Sequence, residues 1–261
     1  MEDYVEHPLP VVLRPYVQRI SGYRMDGFRP GTHIGLPSAS LTCVFDLSDG
    51  IVLSGQGLQR QQRFSSVFSG LSTIPARIHH DGSQHGIMLY LTPLGLRDLF
   101  AMPAAELVDG AVHLSDVIGP EAAALEDRLR SAPGWSCLDI LGDALLARLP
   151  DRPDDGLAAQ VWRRLEATQG AATVADLARE SGWSVRHLSG QFTQEMGVGP
   201  KTATRLFRFG RSISQVREGG RLADVAARCG YADQAHLARE WREMAGLSPS
   251  SWRALEEFTP A

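Results

Sequence analysis

The chain has 261 residues, of which 43% are hydrophobic and 21% charged, and its formal net charge is −4. This length suits two domains, and the ordinary globular composition excludes a chain that is disordered throughout. No apolar stretch approaches the ~20 residues that cross a bilayer, and no signal-peptide pattern opens the chain, so we expect a cytoplasmic protein without a membrane partner. Three scattered cysteines, Cys43, Cys137 and Cys229, fit neither a disulfide framework nor a zinc knuckle.

Residues 10 to 95 predict short antiparallel strands separated by glycine and proline turns. Apolar and polar residues alternate through Ser40–Asp49, a turn follows at Ser48–Gly50, and Ile51–Leu53 is predicted to return as the second strand of a hairpin. Gly86–Leu91 is a second strong strand. We expect the apolar faces of these strands to point into a small barrel: Leu41, Cys43, Phe45, Leu89 and Leu91. Whether these side chains fill the barrel or leave a ligand pocket stays open.

From residue 93 the pattern becomes helical, with predicted helices at Leu94–Phe100, Pro120–Arg130 and Ser136–Leu149. The last of these helices has an apolar stripe at helical spacing, made of Leu138, Leu141, Leu145 and Leu149. Two interpretations of the stripe stay open: it packs on the sheet of its own domain, or it forms the seam of a homodimer.

The segment from Leu149 to Gly156 is the predicted linker between two domains, because it joins two helical patterns with two prolines, three aspartates and a glycine. Residues up to 155 carry 12 arginines against 19 acidic residues, a net charge of −7. The remaining residues carry 14 basic against 11 acidic side chains, a net charge of +3. A basic block in an acidic chain favours a polyanionic partner for that block.

The last hundred residues contain an internal duplication, with an offset of 48 residues that becomes 49 after a glycine–aromatic pair. The first copy is marked by Leu177, Ala178, Gly182, Trp183, His187, Leu188, Phe192, Gly197 and Pro200. The second copy is marked by Val225, Ala226, Gly230, Tyr231, His236, Leu237, Trp241, Gly246 and Pro249.

Each copy predicts a helix-turn-helix. Gly182 and Gly230 can end the first helix in the left-handed conformation, and Ser184 and Asp233 can cap the second helix. Between the copies, Lys201–Val216 is predicted to form one helix of roughly 24 Å. Two second helices held apart by this rod could enter successive major grooves, which lie about 34 Å apart on one face of DNA.

The run from Asp224 to Trp241, continued by Gly246–Pro249 and Trp252-Arg253, is similar to the DNA-binding domain of the AraC/XylS family of transcription regulators. The resemblance covers residues 174–253. The turn at Pro93–Gly95 and the helices after it also resemble the sensor half of such regulators. The resemblance implies a one-component, sequence-specific DNA-binding regulator, expected to be an activator, with double-stranded DNA and RNA polymerase as partners. A small-molecule effector and a homodimer stay open, and no cofactor is expected.

Together, pattern and resemblance predict an α+β chain of two domains. Residues 1–152 are predicted to form a cupin-like antiparallel β sensor and dimerisation domain, β-rich to about residue 95 and helical over 94–149. Residues 156–258 are predicted to form an all-α DNA-binding domain with two helix-turn-helix motifs joined by the long helix.

The resemblance also implies which residues contact DNA. The base-reading positions lie on the second helix of each copy: Arg186, Ser189 and Gly190, with Gln191 as a further candidate, then Gln234, Ala235, Ala238 and Arg239. Arginine suits bidentate contacts to guanine, and glutamine suits adenine. Arg208, on the connecting helix, is a predicted phosphate contact. The first copy departs from the family pattern at Gly190, where a long polar side chain is usual, and an ion pair with Glu243 is the alternative role for Arg239.

Enzyme chemistry finds little support in the sequence. His79, His80 and His85 lie close together, but their spacing is not that of a cupin metal site, and a histidine-rich turn is the simpler interpretation. No nucleophile elbow or phosphate-binding loop is present. We therefore expect neither an enzyme nor a bound metal. The alternatives are a cupin-like enzyme, or a protein-binding module, tethered to DNA.

Overall fold

The structure, a computed structural model, describes residues 2–153 and 156–255. The predicted end of the second domain at residue 258 and residues 154–155 of the linker lie outside these ranges. Within them the N-terminal part has ten strands: β1 (Glu2–Glu6), β2 (Val17–Met25), β3 (Gly31–Gly35), β4 (Leu41–Asp46), β5 (Ile51–Gly55), β6 (Leu58–Phe64), β7 (Ser66–Ser69), β8 (Ala76–His80), β9 (Gln84–Leu91) and β10 (Ala111–His113).

The strands form two antiparallel sheets that face each other, so the predicted β-rich fold of this part, which we call the sensor domain, is confirmed. One sheet has the order β1-β2-β9-β4-β7-β10 and the other the order β3-β8-β5-β6. The predicted hairpin is wrong, because β4 pairs with β7 and β9 while β5 pairs with β6 and β8 in the opposite sheet. The turn is a corner between sheets, in which the Asp46 carboxylate accepts hydrogen bonds from the Ser48 and Gly50 amides at 2.8 and 2.7 Å.

The apolar face of β4 and β9 points away from the space between the sheets, opposite to the prediction. These side chains lie in the core that the sheet shares with the helices: Leu41, Cys43, Phe45, Leu89 and Leu91. Alternate residues, Thr42 and Val44 on β4 and Met88 and Tyr90 on β9, face the other sheet. Successive side chains of a strand point to opposite faces. Because the two faces were assigned the wrong way round, every residue of β4 and β9 lies on the face opposite to the predicted one.

Four helices complete the sensor: α1 (Pro93–Phe100), α2 (Leu114–Ile118), α3 (Glu121–Ser131) and α4 (Ser136–Leu146), with short 3₁₀ turns at Val11–Leu13 and Ala104–Leu107. The leucine stripe on α4 is internal, because Leu138, Leu141 and Leu145 are each at most 3% exposed in the single chain. Of its two interpretations, packing within the domain is correct and the dimer seam is wrong.

The C-terminal part is all-helical, as predicted: α5 (Leu157–Ala167), α6 (Val174–Ser181), α7 (Val185–Met196), α8 (Pro200–Arg217), α9 (Leu222–Cys229), α10 (Gln234–Ala245) and α11 (Pro249–Leu255). Both predicted turns are confirmed. Gly182 and Gly230 end α6 and α9 with φ of 73° and 78°, which is the left-handed conformation that favours glycine. Ser184 and Asp233 cap α7 and α10 by accepting from the amides of His187 and His236.

The two domains share one continuous hydrophobic core, and the sensor contacts the first repeat directly. The Gln18 amide donates to the Glu166 carboxylate on α5 at 2.9 Å, and Arg97 on α1 pairs with Glu195 on α7 at 3.2 Å. Gly197, which ends α7, lies so close to the turn at Ala104–Leu107 that an added Cβ would overlap it. The described helices include none long and apolar enough to cross a membrane.

Candidate nucleic-acid interface and sensor cavity

The second helix of the second repeat, α10, separates a buried face from a polar one. Leu237 and Trp241 are fully buried, and the Trp241 indole donates to Ser212 on α8 at 2.9 Å, which fixes α10 on the connecting helix. Gln234, Ala235 and Arg239 lie on the exposed side, while Ala238 is half-buried beside them. The helix therefore presents an amide and a guanidinium one and a half turns apart to solvent.

The alternative role for Arg239, an ion pair with Glu243, is not formed. Glu243 instead accepts from the Arg205 guanidinium on α8 at 2.7 Å. Among the residues that the structure describes, Arg239 has no ion-pair partner, and its side chain is exposed. An exposed, unpaired guanidinium is available for a bidentate contact to a guanine or a phosphate.

The equivalent helix of the first repeat, α7, is also exposed along one side. Arg186, Gly190 and Gln191 are exposed, whereas Ser189 is half-buried. Gln194, one turn beyond Gly190, belongs to the same surface, although the sequence analysis did not single it out. The i, i+4, i+8 spacing of positions 186, 190 and 194 is the signal that would have found it.

The arginines of the connecting helix point into the domain instead. Arg205 and Arg208 both pair with the buried carboxylate of Glu240, at 2.7 and 3.4 Å, and the Arg208 guanidinium also lies 4.7 Å from the Tyr231 ring centre. Arg211 donates to the Cys229 carbonyl at 2.8 Å. This placement favours a structural role for Arg208, and its phosphate contact stays a prediction.

The aromatic residue after each turn glycine differs in its surroundings. Tyr231 is 5% exposed beneath Arg208, and burial raises its pKa to about 12. Trp183 is 51% exposed and stacks on the His187 ring, with ring centres 4.3 Å apart. The connecting helix thus covers the turn of the second repeat and leaves the turn of the first repeat open to solvent.

A cavity of about 360 Å³ lies between the two sheets of the sensor. Its walls are mostly apolar, from Val44, Ile51, Leu53, Val67, Ile78 and Met88, with polar groups from His33, Thr42, Gln56, Ser69 and Tyr90. The last turns of α8 complete it with Ile213, Ser214 and Arg217. Of the two possibilities that the sequence left open, the structure has the pocket, because the apolar side chains of β4 and β9 that were expected inside the barrel face the helices.

Two arginines from different domains line this cavity. Arg19 on β2 lies 4.3 Å from the centre of the Tyr90 ring, and Arg217 lies 5.7 Å from the centre of the Trp252 ring on α11. Burial raises the pKa of Tyr90, while Arg19 and Arg217 act in the opposite direction. The cavity thus combines apolar walls with two positive charges, one from each domain.

The histidines of the sensor are spread over several environments. His33, which lines the cavity, has its pKa lowered to about 4 by burial, with a further contribution from His80, whose ring centre is 5.7 Å away. His79 hydrogen-bonds Thr32 and Ser54, and His85 packs edge-on against Trp135. Within the described ranges, no three His, Cys, Asp or Glu side chains gather as a metal site.

Comparison with known proteins identifies this arrangement. A family model for a helix-turn-helix domain matches residues 177–255. The uncharacterized HTH-type transcriptional regulator YbfI of Bacillus subtilis is 32% identical over 65 residues, which are 25% of this chain and 24% of YbfI. The chain therefore matches only about a quarter of this curated relative.

The crystal structure of ToxT from Vibrio cholerae O395 has the same fold, with a TM-score of 0.52 at 12% identity over 91% of this chain and 97% of that one. Wild-type ToxT of V. cholerae strain SCE256, bound to an unsaturated fatty acid, has a TM-score of 0.53 at 12% identity over 93% and 98%. Residues 177–255 thus match a helix-turn-helix domain and the whole chain has the fold of ToxT, which is the arrangement that the resemblance to AraC/XylS regulators predicts. The shared fold accounts for an N-terminal β domain followed by two helix-turn-helix repeats on a connecting helix.

The chain differs from the family's sequence pattern in ways that the structure locates. Gly190 leaves a gap in the exposed side of α7, in line with the departure that the sequence showed. The sequence did not predict that Arg19 and Arg217 line one cavity, because the two residues lie far apart in the chain. No local pattern signals such a pair.

Proposed function

We propose that the protein regulates transcription by binding double-stranded DNA through α7 and α10, under the control of a small molecule in the sensor cavity. The observation that carries the proposal is the exposed side of both second helices, with Arg186 and Arg239 unpaired within the described residues. The 18-residue helix α8, about 27 Å long, supports placement of the two repeats in neighbouring major grooves. Such a regulator acts where the DNA is, in the cytoplasm. RNA polymerase, a homodimer and an activating role remain predictions.

DNA affinity is expected to fall steeply with salt. Each neutralised phosphate releases counterions and adds about −0.9 to the slope of log affinity against log salt. A titration of the intact protein between low and moderate salt measures the slope. As a control, Arg77→Ala removes an exposed arginine from the sensor strand β8 and should leave the slope unchanged. An affinity that stays flat across this range would count against DNA binding through these helices.

The effector that the cavity suits best is an amphipathic organic acid. Apolar walls favour a hydrocarbon body, and Arg19 and Arg217 favour a carboxylate at the boundary of the two domains. The fatty acid bound to ToxT, a protein of the same fold, supports this choice. A ligand held by both arginines would bind differently when the domains move apart, which is the differential affinity that control of DNA binding requires.

Arg217→Ala tests whether the effector is an organic acid. We expect it to weaken decanoic acid binding tenfold or more, since a hydrogen bond to a charged group contributes about 1.5–3 kcal/mol, and to leave decanol binding unchanged. Calorimetric titration of both ligands gives the comparison. Arg221→Ala, at the exposed start of α9, is the matched control. Equal binding of decanoic acid and decanol by the unaltered protein would contradict an acid effector.

The alternative of a cupin-like enzyme tethered to DNA rests on the fold of the sensor alone. The helix-turn-helix match and the curated relative both point to transcription regulators. The polar side chains that line the cavity can form hydrogen bonds and ion pairs with a ligand, which suits ligand binding. A sensor that binds only a partner protein would leave the cavity without a role, so the cavity favours the small molecule.

A further inference from the structure

Gly190 makes the exposed side of α7 chemically different from that of α10. The 49-residue offset aligns Gly190 with Arg239, and Arg186 with Ala235. Each helix therefore has one arginine and one small residue a turn apart, in opposite order. The backbone does not require this glycine: it lies inside a regular helix, and a Cβ built on it meets no atom within 4 Å.

The surface around Gly190 is a shallow depression on α7. Its sides are formed by Ser184, Arg186, His187, Gln191 and Gln194. Bare backbone forms its floor, because glycine has no side chain, while a guanidinium and two amides provide hydrogen-bond donors around the rim. The depression is exposed and lies among the positions proposed to contact bases.

We propose that this depression receives the C5-methyl group of a thymine, so that the first repeat recognises an A·T pair where the second uses an arginine. Thymine alone among the four bases presents a methyl group in the major groove, and its O4 acceptor lies beside that methyl. A rim amide or the Arg186 guanidinium can donate to O4 while the methyl contacts the Gly190 backbone. Any side chain at position 190 would occupy that space. This inference rests on the proposed DNA binding by α7.

The first measurement replaces thymine by deoxyuridine, which removes only the methyl group. The duplex is a genomic site recovered by DNA capture with the intact protein, and each thymine is replaced in turn. We expect one replacement to weaken binding about fourfold, as for the loss of one buried methyl group. Replacements elsewhere should have little effect.

The second measurement uses Gly190→Ala, which adds one methyl group to the floor. The variant should fold and melt at a higher temperature, because glycine is a poor residue inside a helix. It should bind the thymine duplex about fourfold more weakly and no longer distinguish it from the deoxyuridine duplex. Gly210→Ala is the matched control, since Gly210 also lies inside a helix with no atom within 4 Å of an added Cβ. It should raise the melting temperature without changing the thymine-to-deoxyuridine ratio.

The outcomes separate this inference from the proposed function. If the unaltered protein binds the captured duplex but no deoxyuridine replacement weakens binding, the thymine contact is wrong and DNA binding stands. A fourfold ratio that persists in Gly190→Ala places the methyl contact elsewhere and also overturns the inference. A protein that binds no captured duplex overturns both.

Discussion

Leu145→Glu is expected to unfold the sensor or make it aggregate. Leu145 is 1% exposed and lies in the core that α4 shares with the larger sheet. Losing the packing of a buried leucine costs about 2–5 kcal/mol of folding free energy. Burying the unpaired glutamate carboxylate costs several kcal/mol more. The total is comparable to the ~5–15 kcal/mol that separates folded from unfolded domains. Circular dichroism and size-exclusion chromatography would report the loss.

Ala124→Glu is the matched control for this substitution. It adds the same charge at an exposed position of the neighbouring helix α3 and should leave the melting temperature nearly unchanged. If the Leu145→Glu protein instead stays folded and becomes monomeric, the leucine stripe is a dimer interface after all. If the protein forms a homodimer, a surface other than the leucine stripe must mediate it.

Arg239→Ala is expected to cost about 1–3 kcal/mol of binding free energy on the cognate site and to relax the preference at one base pair. The reason is that Arg239 is exposed, while its nearest candidate partner on the helix, Glu243, is held by Arg205. Titrations against the cognate duplex and its single-base variants measure both effects. If overall affinity drops while discrimination is unchanged, Arg239 contacts phosphate and does not read a base.

Arg208→Ala provides the contrast. The sequence predicts a phosphate contact, which would weaken all duplexes equally and lower the salt slope. In the structure, Arg208 pairs with the buried Glu240 and lies against Tyr231, so we expect a lower melting temperature and little change in slope. A melting curve beside the salt titration distinguishes the two roles.

The sequence alone predicted the helix-turn-helix architecture of the C-terminal half. Gly182, Gly230 and the caps Ser184 and Asp233 act within a few residues of themselves, so the helix ends that they specify could be placed before the structure was known. The duplication then indicated that two such units share one architecture. Their exposed positions followed from helical spacing, because the buried side of each second helix is marked by its own apolar residues.

In the sensor, the tertiary structure decided what local pattern left open. Alternation along β4 indicates two faces but not which of them meets the helices. In the structure Leu41, Cys43 and Phe45 lie in the larger hydrophobic core, which the sheet shares with the helices. The neighbouring strand β5 joined the opposite sheet because both edges of β4 pair with β7 and β9. The cavity, its two arginines and the burial of Leu145 all depend on contacts between residues distant in sequence, and such contacts form only when the whole chain packs.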